Sequence, residues 1–193
     1  ILLHAKDLDV DFVFISEMDS NGKTKKNKKA KFSYGEFDTL TISADDLRPG
    51  EYFITIAYHG KVTDAMHGLY PCYFTHDGTK KHLLATQFES HHAREVFPCV
   101  DEPAAKATYD LMLITKPGLT ALSNMPVKWS EEKNGLMTTC FEQTPRMSSY
   151  LLAFVVGELH KKTAHTTSGV EVNIWATPAQ SEETLDFALD IAT

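Results

Sequence analysis

Histidine and acidic side chains are the groups in this sequence that could hold a metal ion, and there are nine histidines. A zinc hydrolase needs two or three closely placed ligands and a carboxylate base, which the motif H-E-x-x-H supplies on one helix face. That motif does not occur in the 193 residues. The nearest pattern places His92 and Glu95 three residues apart, so that both would face the same way on a short helix. One helical turn rarely completes a metal site, so this pattern favours a structural or surface role, and we predict no metal ligand.

Motifs for other chemistries are missing as well. The sequence contains no G-x-S-x-G nucleophile elbow, no P-loop and no G-x-G-x-x-G phosphate cradle. Cys72, Cys99 and Cys140 form no C-x-x-C pair, which predicts reduced, buried thiols rather than a zinc ribbon or a disulfide framework. We therefore predict no catalytic residue within this chain.

Alternating apolar residues predict the strands that position these side chains. One run places Val10, Phe12 and Phe14 on a shared face, and another does the same for Tyr52, Ile54, Ile56 and Tyr58. Similar runs follow at residues 111–114, 136–141 and 170–174, and Asn-Gly pairs at 21–22 and 134–135 are typical of hairpin turns. Many short strands separated by turns predict an all-β, mainly antiparallel sandwich.

Two segments depart from this alternation. Residues 150–156 are continuously apolar, which predicts a central strand covered on both faces. Near the end, Ser181 can cap a helix, and an apolar stripe with a helical period follows it at Leu185, Ala188, Leu189 and Ala192. Because that stripe needs a cover, it suggests that a helical domain should follow.

The overall composition is that of a folded domain of negative net charge. The chain is 42% hydrophobic, and 26 acidic residues against 19 basic ones give a net charge of −7. This sign argues against nucleic acid or an anionic membrane as the main partner. No apolar run is long enough to span a membrane, and no targeting signal is visible, so the cytoplasm is the expected compartment.

A series of motifs in the middle of the chain adds a family resemblance. In order they are Gly68-Leu69-Tyr70-Pro71-Cys72-Tyr73, Ala85-Thr86-Gln87-Phe88-Glu89, Ala93-Arg94, Phe97-Pro98-Cys99, Asp101-Glu102-Pro103-Ala104 and Lys106-Ala107. This series closely resembles the N-terminal domain of the aminopeptidase N family of zinc (gluzincin) aminopeptidases and is similar to the puromycin-sensitive aminopeptidases. The resemblance extends over nearly the whole chain.

The resemblance implies a fold, a substrate and two site residues. The fold would be a saddle-shaped β-sandwich with a short C-terminal helix, and the substrates would be peptides with a free N-terminal amine. Glu89 would contact the α-amine of the substrate, and Gln87 would line the pocket for its first side chain. For Asp101-Glu102-Pro103, the charges before a proline predict a structural turn held by Arg94 or Lys106.

The resemblance also implies how this sequence divides. Residues 1–178 would form the β domain, with its first strands missing upstream, and residues 179–193 would begin the first helix of a catalytic domain that this sequence lacks. Zinc would then belong to the parent enzyme, with no cofactor in this chain, whose partner would be its own missing catalytic domain. The alternative is a non-catalytic relative that uses the same β domain as a protein-interaction scaffold.

Overall fold

The computed structural model describes residues 1–18, 26–45 and 47–193. It contains two compact units, each built from separate stretches of sequence. The first unit comprises Ile1–Tyr70, Gln87–Thr108 and Pro145–Leu152, and the second comprises Pro71–Thr86, Tyr109–Thr144 and Ala153–Thr193. Fifteen antiparallel strands and a single short helix within the described ranges confirm the predicted all-β class.

Two three-stranded sheets form the body of the first unit. Its strands are β1 (Leu2–His4), β2 (Leu8–Glu17), β3 (Lys28–Lys29), β4 (Lys31–Tyr34), β5 (Thr39–Ser43) and β6 (Tyr52–Gly60). They are ordered β1-β5-β4 in one sheet and β3-β2-β6 in the other. Val13, Leu40 and Ile42 are fully buried in a shared core, and Ile54 and Ile56 of β6 pack against it. The predicted shared face of β6 is therefore confirmed, and the two sheets form a sandwich.

The prediction for β2 is wrong in detail, because the strand contains a β-bulge. Its pairing with β6 shifts between Val10 and Phe12, which reverses the side of the sheet that later residues face. Val13 and Ile15 consequently enter the core, whereas Phe12 remains 38% exposed. Phe12 contacts Phe14, with their ring centroids 5.3 Å apart, so these two phenylalanines share the outer face without Val10.

The later strands form three further sheets. They are β7 (Gly68–His76), β8 (Thr79–Gln87), β9 (Met112–Thr115), β10 (Thr120–Ser123), β11 (Val127–Lys133), β12 (Leu136–Phe141), β13 (Phe154–Gly157), β14 (His160–His165) and β15 (Glu171–Ala176). Their orders are β10-β13-β8-β7, β11-β12-β9 and β14-β15. The predicted Asn-Gly hairpin joins β11 to β12, with φ of 53° at Asn134 and 72° at Gly135. The other predicted Asn-Gly turn, at residues 21–22, lies outside the described residues.

The single strand predicted over residues 150–156 is also wrong. Ser149–Leu151 forms a 3₁₀ turn, and a strand begins only at Phe154. Amide groups of Leu151 and Leu152 donate to the carbonyls of Ser148 and Ser149, which closes the turn before the strand starts. The strand itself, β13, does lie inside its sheet, between β10 and β8.

The helix predicted near the end forms as α1 (Glu182–Ala192), with Ser181 at its N-cap position. Leu185 and Leu189 of its apolar stripe are 5% and 9% exposed, and the helix packs on β14 and β15. These strands therefore cover Leu185 and Leu189, whereas Ala192 of the same stripe is exposed, and the following helical domain stays a prediction. The division between residues 178 and 179 stays a prediction. Across the three described ranges, no helix has the length and apolar character required to cross a membrane.

Candidate functional site

Residues 87–103, here called the Glu89 segment, follow directly from β8 and belong to the first unit. Alternation continues at the end of the strand, so that Gln87 and Glu89 are exposed while Phe88 between them is 1% exposed. The Phe88 ring packs edge to face against Phe97, with centroids 5.9 Å apart. The carbonyl of Phe88 accepts a 2.9 Å hydrogen bond from the His92 amide. Phe88 thus anchors the segment and presents Gln87 and Glu89 on its outer side.

The Glu89 carboxylate is available for binding. Within the described ranges, no side chain or backbone group forms a hydrogen bond or an ion pair with it. The peptide bond that follows, between Glu89 and Ser90, is cis. The Ser90 hydroxyl lies 2.8 Å from His91 Nδ1. Glu89 is therefore an exposed anion on a segment whose backbone is held by buried neighbours.

Arg94 and Asp101 connect the middle of the segment to its C-terminal part. Asp101 has a side chain only 1% exposed, and its Oδ2 accepts hydrogen bonds from Arg94 Nε at 3.1 Å and from the Arg94 amide at 3.2 Å. Arg94 Nη2 also donates to the Asp101 carbonyl at 3.1 Å. The predicted turn at Asp101 is confirmed, with Arg94 rather than Lys106 as its partner.

The remaining polar atoms of Asp101 have partners as well. Ser149 Oγ donates to Asp101 Oδ1 at 2.6 Å, and the Asp101 amide donates to His4 Nδ1 at 3.2 Å. Ser148 Oγ donates to the carbonyl of Pro103 at 2.6 Å. A buried carboxylate requires this degree of hydrogen bonding to remain charged without a large penalty. Asp101 is therefore a structural anchor of the segment.

Glu95 is the centre of a second polar cluster. It lies in the 3₁₀ turn Ala93–Glu95, and its side chain is 13% exposed. Glu95 Oε1 accepts from Lys6 Nζ at 2.9 Å and lies 3.1 Å from His92 Nδ1, while its Oε2 lies 2.6 Å from His67 Nδ1. The imidazole rings of His67 and His92 are stacked, with centroids 4.2 Å apart and planes 27° apart. Three donors thus converge on one partly buried carboxylate.

This convergence changes the acidity of Glu95. Burial by itself would raise the pKa of the carboxyl group, but hydrogen bonds from Lys6, His92 and His67 outweigh it and lower the pKa from 4.5 to about 2. The same contact acts on the other partner, since the hydrogen bond to Glu95 raises the pKa of Lys6 despite some desolvation. Glu95 is therefore charged throughout the physiological range.

The sequence alone indicated two of the four residues in this cluster, His92 and Glu95. The spacing of His92 and Glu95 indicated that they could face each other, and the structure brings them together. Lys6 and His67 were missed, because they lie 89 and 28 residues from Glu95 and no local pattern links such distant positions. One ring nitrogen of each histidine and one Glu95 carboxylate oxygen lie within 4.8 Å of one another, so among the described residues this group could hold a metal.

Cys99 forms an isolated β-bridge with His4, and its thiol is only weakly acidic. Burial, together with the nearby Asp101 charge, raises the pKa of its thiol to about 12. All three cysteines are free, as predicted, but each is half-buried rather than fully buried. The thiolate is the reactive form of cysteine, so Cys99 is a packing residue.

Comparison with known proteins identifies the family. Residues 1–151 match the family model described as the Peptidase M1 N-terminal domain. The whole chain is 48% identical to an aminopeptidase N of Lactococcus lactis subsp. lactis and 44% identical to an aminopeptidase N of Lactobacillus delbrueckii subsp. lactis. Over 86% of its length it is 39% identical to a puromycin-sensitive aminopeptidase of Caenorhabditis elegans.

These matches confirm the resemblance seen in the motifs, and they set its extent. The chain spans 22%, 21% and 18% of the length of the three relatives, which is about a fifth of each. The matched residues include all of the Glu89 segment and the residues that support it. The chain therefore belongs to the Peptidase M1 N-terminal domain family.

Proposed function

We propose that this chain is the substrate-recognition domain of a zinc-dependent aminopeptidase that removes N-terminal residues from peptides. In this proposal the Glu89 carboxylate binds the free α-ammonium group of the peptide, and Gln87 lines the pocket for the first side chain. The observation that carries the proposal is the outward presentation of Gln87 and Glu89 on either side of the buried Phe88. Family membership and relatives named as aminopeptidases support it.

Glu89 has the chemistry that an exopeptidase needs. An enzyme that acts only at the first residue must recognise an ammonium group, and a carboxylate does so through a charge-assisted hydrogen bond. Such a bond contributes about 1.5–3 kcal/mol, and about 1.4 kcal/mol corresponds to a tenfold change in rate or affinity. The bond is strongest where water is excluded. On an exposed segment an ion pair contributes only about 0–1 kcal/mol, so Glu89 requires a second surface to close over the peptide.

The residues of this chain do not fit the zinc motif of a metallopeptidase, since H-E-x-x-H is absent from its 193 residues. Zinc is therefore proposed for the whole protein, and none of the residues described above is assigned to hydrolysis. Their proposed role is to bind and orient the peptide. The proposed compartment of the whole protein is the cytoplasm. Orientation of the reacting groups is itself a substantial source of rate enhancement.

The test is a pair of substitutions in the longer aminopeptidase that contains this domain. We expect Glu89→Ala and Glu89→Gln to lower kcat/KM on free-amine peptides by about 10- to 100-fold, because each removes the negative charge. Glu131→Gln is the matched control, since Glu131 is an exposed carboxylate on β11. Unchanged kinetics in both Glu89 variants would contradict the assignment of Glu89.

A separate assay tests the proposed enzyme class. The longer protein should release N-terminal residues from peptides, and a metal chelator should abolish the release. Absence of any activity, with and without added zinc, would instead support the alternative of a non-catalytic interaction scaffold. Together, the two experiments show whether an error lies in the assignment of Glu89 or in the proposed enzyme class.

A further inference from the structure

We propose that His67, His92 and Glu95 form a binding site for a divalent transition-metal ion of the zinc class. The inference rests on the geometry of these three residues and is independent of the proposed peptidase role. Two imidazole nitrogens and one carboxylate are a ligand set that zinc binds in proteins, with a water molecule or another ligand in the fourth position. No residue that lies between His67 and Glu95 in the sequence, other than His92, is required as a ligand.

The distances require only small adjustments. Zinc bonds to nitrogen and oxygen of about 2.0–2.2 Å place neighbouring ligands of a tetrahedral shell roughly 3.3–3.5 Å apart. The carboxylate oxygens of Glu95 lie 2.6 Å from His67 Nδ1 and 3.1 Å from His92 Nδ1, and all three ligand atoms lie within 4.8 Å of one another. Both histidines already turn the same nitrogen, Nδ1, towards the carboxylate. Shifts of about 1 Å, with each ring proton moved from Nδ1 to Nε2, would therefore replace the two hydrogen bonds with three metal bonds, one from each residue.

Gly68 is a second and independent indication that the approach of these groups is built into the backbone. It follows His67 directly and has φ of +65°, in the left-handed region that favours glycine. A Cβ at this position would lie 2.9 Å from Glu95 Oε2 and 3.3 Å from Glu95 Cβ. Any larger residue would push the carboxylate away from His67. The glycine thus keeps open the space in which His67 and Glu95 meet.

A cavity beside the cluster offers room for the remaining ligand. It has a volume of about 280 Å³, and Lys6, Thr63, His67, Gly68 and Glu95 contribute to its lining. A single water molecule occupies roughly 30 Å³ of liquid volume, so a hydrated ion can enter by this route. The fourth coordination position would face this cavity.

Lys6 is the competitor for the site. Its ammonium group donates to Glu95 Oε1 at 2.9 Å and supplies the positive charge that a metal ion would otherwise provide. The Lys6 side chain is 40% exposed and has a flexible stem, so it can move into solvent when an ion binds. Metal binding should therefore exchange one cation for another at Glu95. This competition provides a test, since removal of the lysine charge should strengthen metal binding.

The first experiment titrates the tag-free 193-residue chain with Zn²⁺ by calorimetry and with Co²⁺ by visible absorption. We expect one ion per chain, and a Co²⁺ spectrum without thiolate charge-transfer bands, because none of the three ligands is a cysteine. His67→Ala and His92→Ala should each weaken binding at least about tenfold, and Lys6→Met should strengthen it about tenfold. His91→Ala is the matched control, because His91 stacks on His92 at 4.8 Å while its Nδ1 contacts Ser90.

The second experiment needs no substitution and so does not depend on how the variants fold. Nitrogen-15 NMR of the imidazole side chains should show Nδ1 of both His67 and His92 shifting together as Zn²⁺ is added. Equal affinity in the original chain and in both histidine variants would overturn the proposal. So would zinc-induced shifts confined to other histidines, or binding that disappears only when the cysteines are alkylated.

Discussion

Ser149 Oγ donates a 2.6 Å hydrogen bond to Oδ1 of Asp101, a carboxylate 48 residues earlier in the chain. Both residues are buried, at 1% and 4% exposure. The bond connects the 3₁₀ turn Ser149–Leu151 to the end of the Glu89 segment. The other carboxylate oxygen of Asp101 accepts from Arg94. This single aspartate therefore joins two separate stretches of the first unit, Gln87–Thr108 and Pro145–Leu152.

Removal of the Ser149 hydroxyl should destabilise the chain. Ser149→Ala leaves Asp101 Oδ1 without its donor in a buried position, which typically costs about 1–3 kcal/mol. Urea denaturation should show a lower midpoint with an unchanged slope. Ser168→Ala is the control, because Ser168 is exposed, and it should change the unfolding free energy by no more than about 0.5 kcal/mol. Equal stability of the two variants would contradict the role given to Ser149.

The Glu95 cluster should make stability depend on acid pH. Because the pKa of Glu95 falls from 4.5 to about 2 on folding, its contribution is complete above pH 4.5 and is lost as the pH falls from 4.5 towards 2. After a discount for its remaining contact with solvent, we expect Glu95→Gln to lower the unfolding free energy at pH 7 by about 2 kcal/mol.

The measurement is a series of denaturant titrations between pH 7 and pH 2. The difference between the original chain and Glu95→Gln should narrow over the acid half of this range, because the original carboxyl group becomes neutral there. Glu131→Gln, at an exposed site on β11, should track the original chain at every pH. A constant difference between the original chain and Glu95→Gln would show that the lost stability does not come from the charge of Glu95.

Gly157 should not tolerate a side chain. A Cβ at this position would lie 2.4 Å from Leu83 Cβ and 3.1 Å from Leu83 Cα, and the second of these atoms belongs to the backbone. We expect Gly157→Ala to cost at least about 1–3 kcal/mol, because the neighbouring β8 strand must move. Gly50→Ala is the control, since its nearest atoms would be 3.8 Å and 3.9 Å away. Thermal unfolding of the two variants, followed by circular dichroism, compares them directly.

Cys99 should react slowly with alkylating reagents. With a pKa of about 12, only about one thiol in ten thousand is ionised at pH 8, and the thiolate is the species that reacts. Timed iodoacetamide treatment followed by peptide mass spectrometry should show labelling at least about a hundredfold slower in the folded chain than in urea. Similar rates in the two conditions would mean that Cys99 is not protected by the fold.

The sequence predicted where these strands lie, but it did not always predict which of their side chains face the core. The alternation in β6 correctly predicted its core-facing side, because that run has no interruption. In β2, the extra residue at Asp11 reverses the alternation, and nothing in the composition of the run distinguishes Val10 from Phe12. A bulge is a property of two paired strands, so the sequence of one strand does not reveal it.

The strand prediction for the apolar run at residues 150–156 was wrong for a different reason. Its periodicity fits a buried strand, but its first residues follow Ser148 and Ser149, whose hydroxyls bind Pro103 and Asp101. These distant contacts hold a 3₁₀ turn where local preference favours an extended chain. Tertiary contacts overrode propensity here, as they often do for short β segments.

The candidate site shows the same difference between residues that the local sequence predicts and residues that only tertiary contacts bring together. The link between Arg94 and Asp101 spans only seven residues, so the local sequence was enough to predict it. The roles of Gln87 and Glu89 come from the family resemblance and stay predictions. The donors that Lys6 and His67 provide to Glu95 come from separate parts of the chain. Their convergence depends on the completed first unit rather than on any motif.

The discontinuous make-up of the first unit has a consequence for biosynthesis. Its last stretch is Pro145–Leu152, so a nascent chain cannot complete this unit until those residues leave the ribosome. Asp101 therefore emerges 48 residues ahead of Ser149. At typical elongation rates that interval is roughly 2 to 10 s, during which the aspartate has no serine to bind. The Glu89 segment is thus synthesised first and is fully supported only after residues 145–152 have emerged.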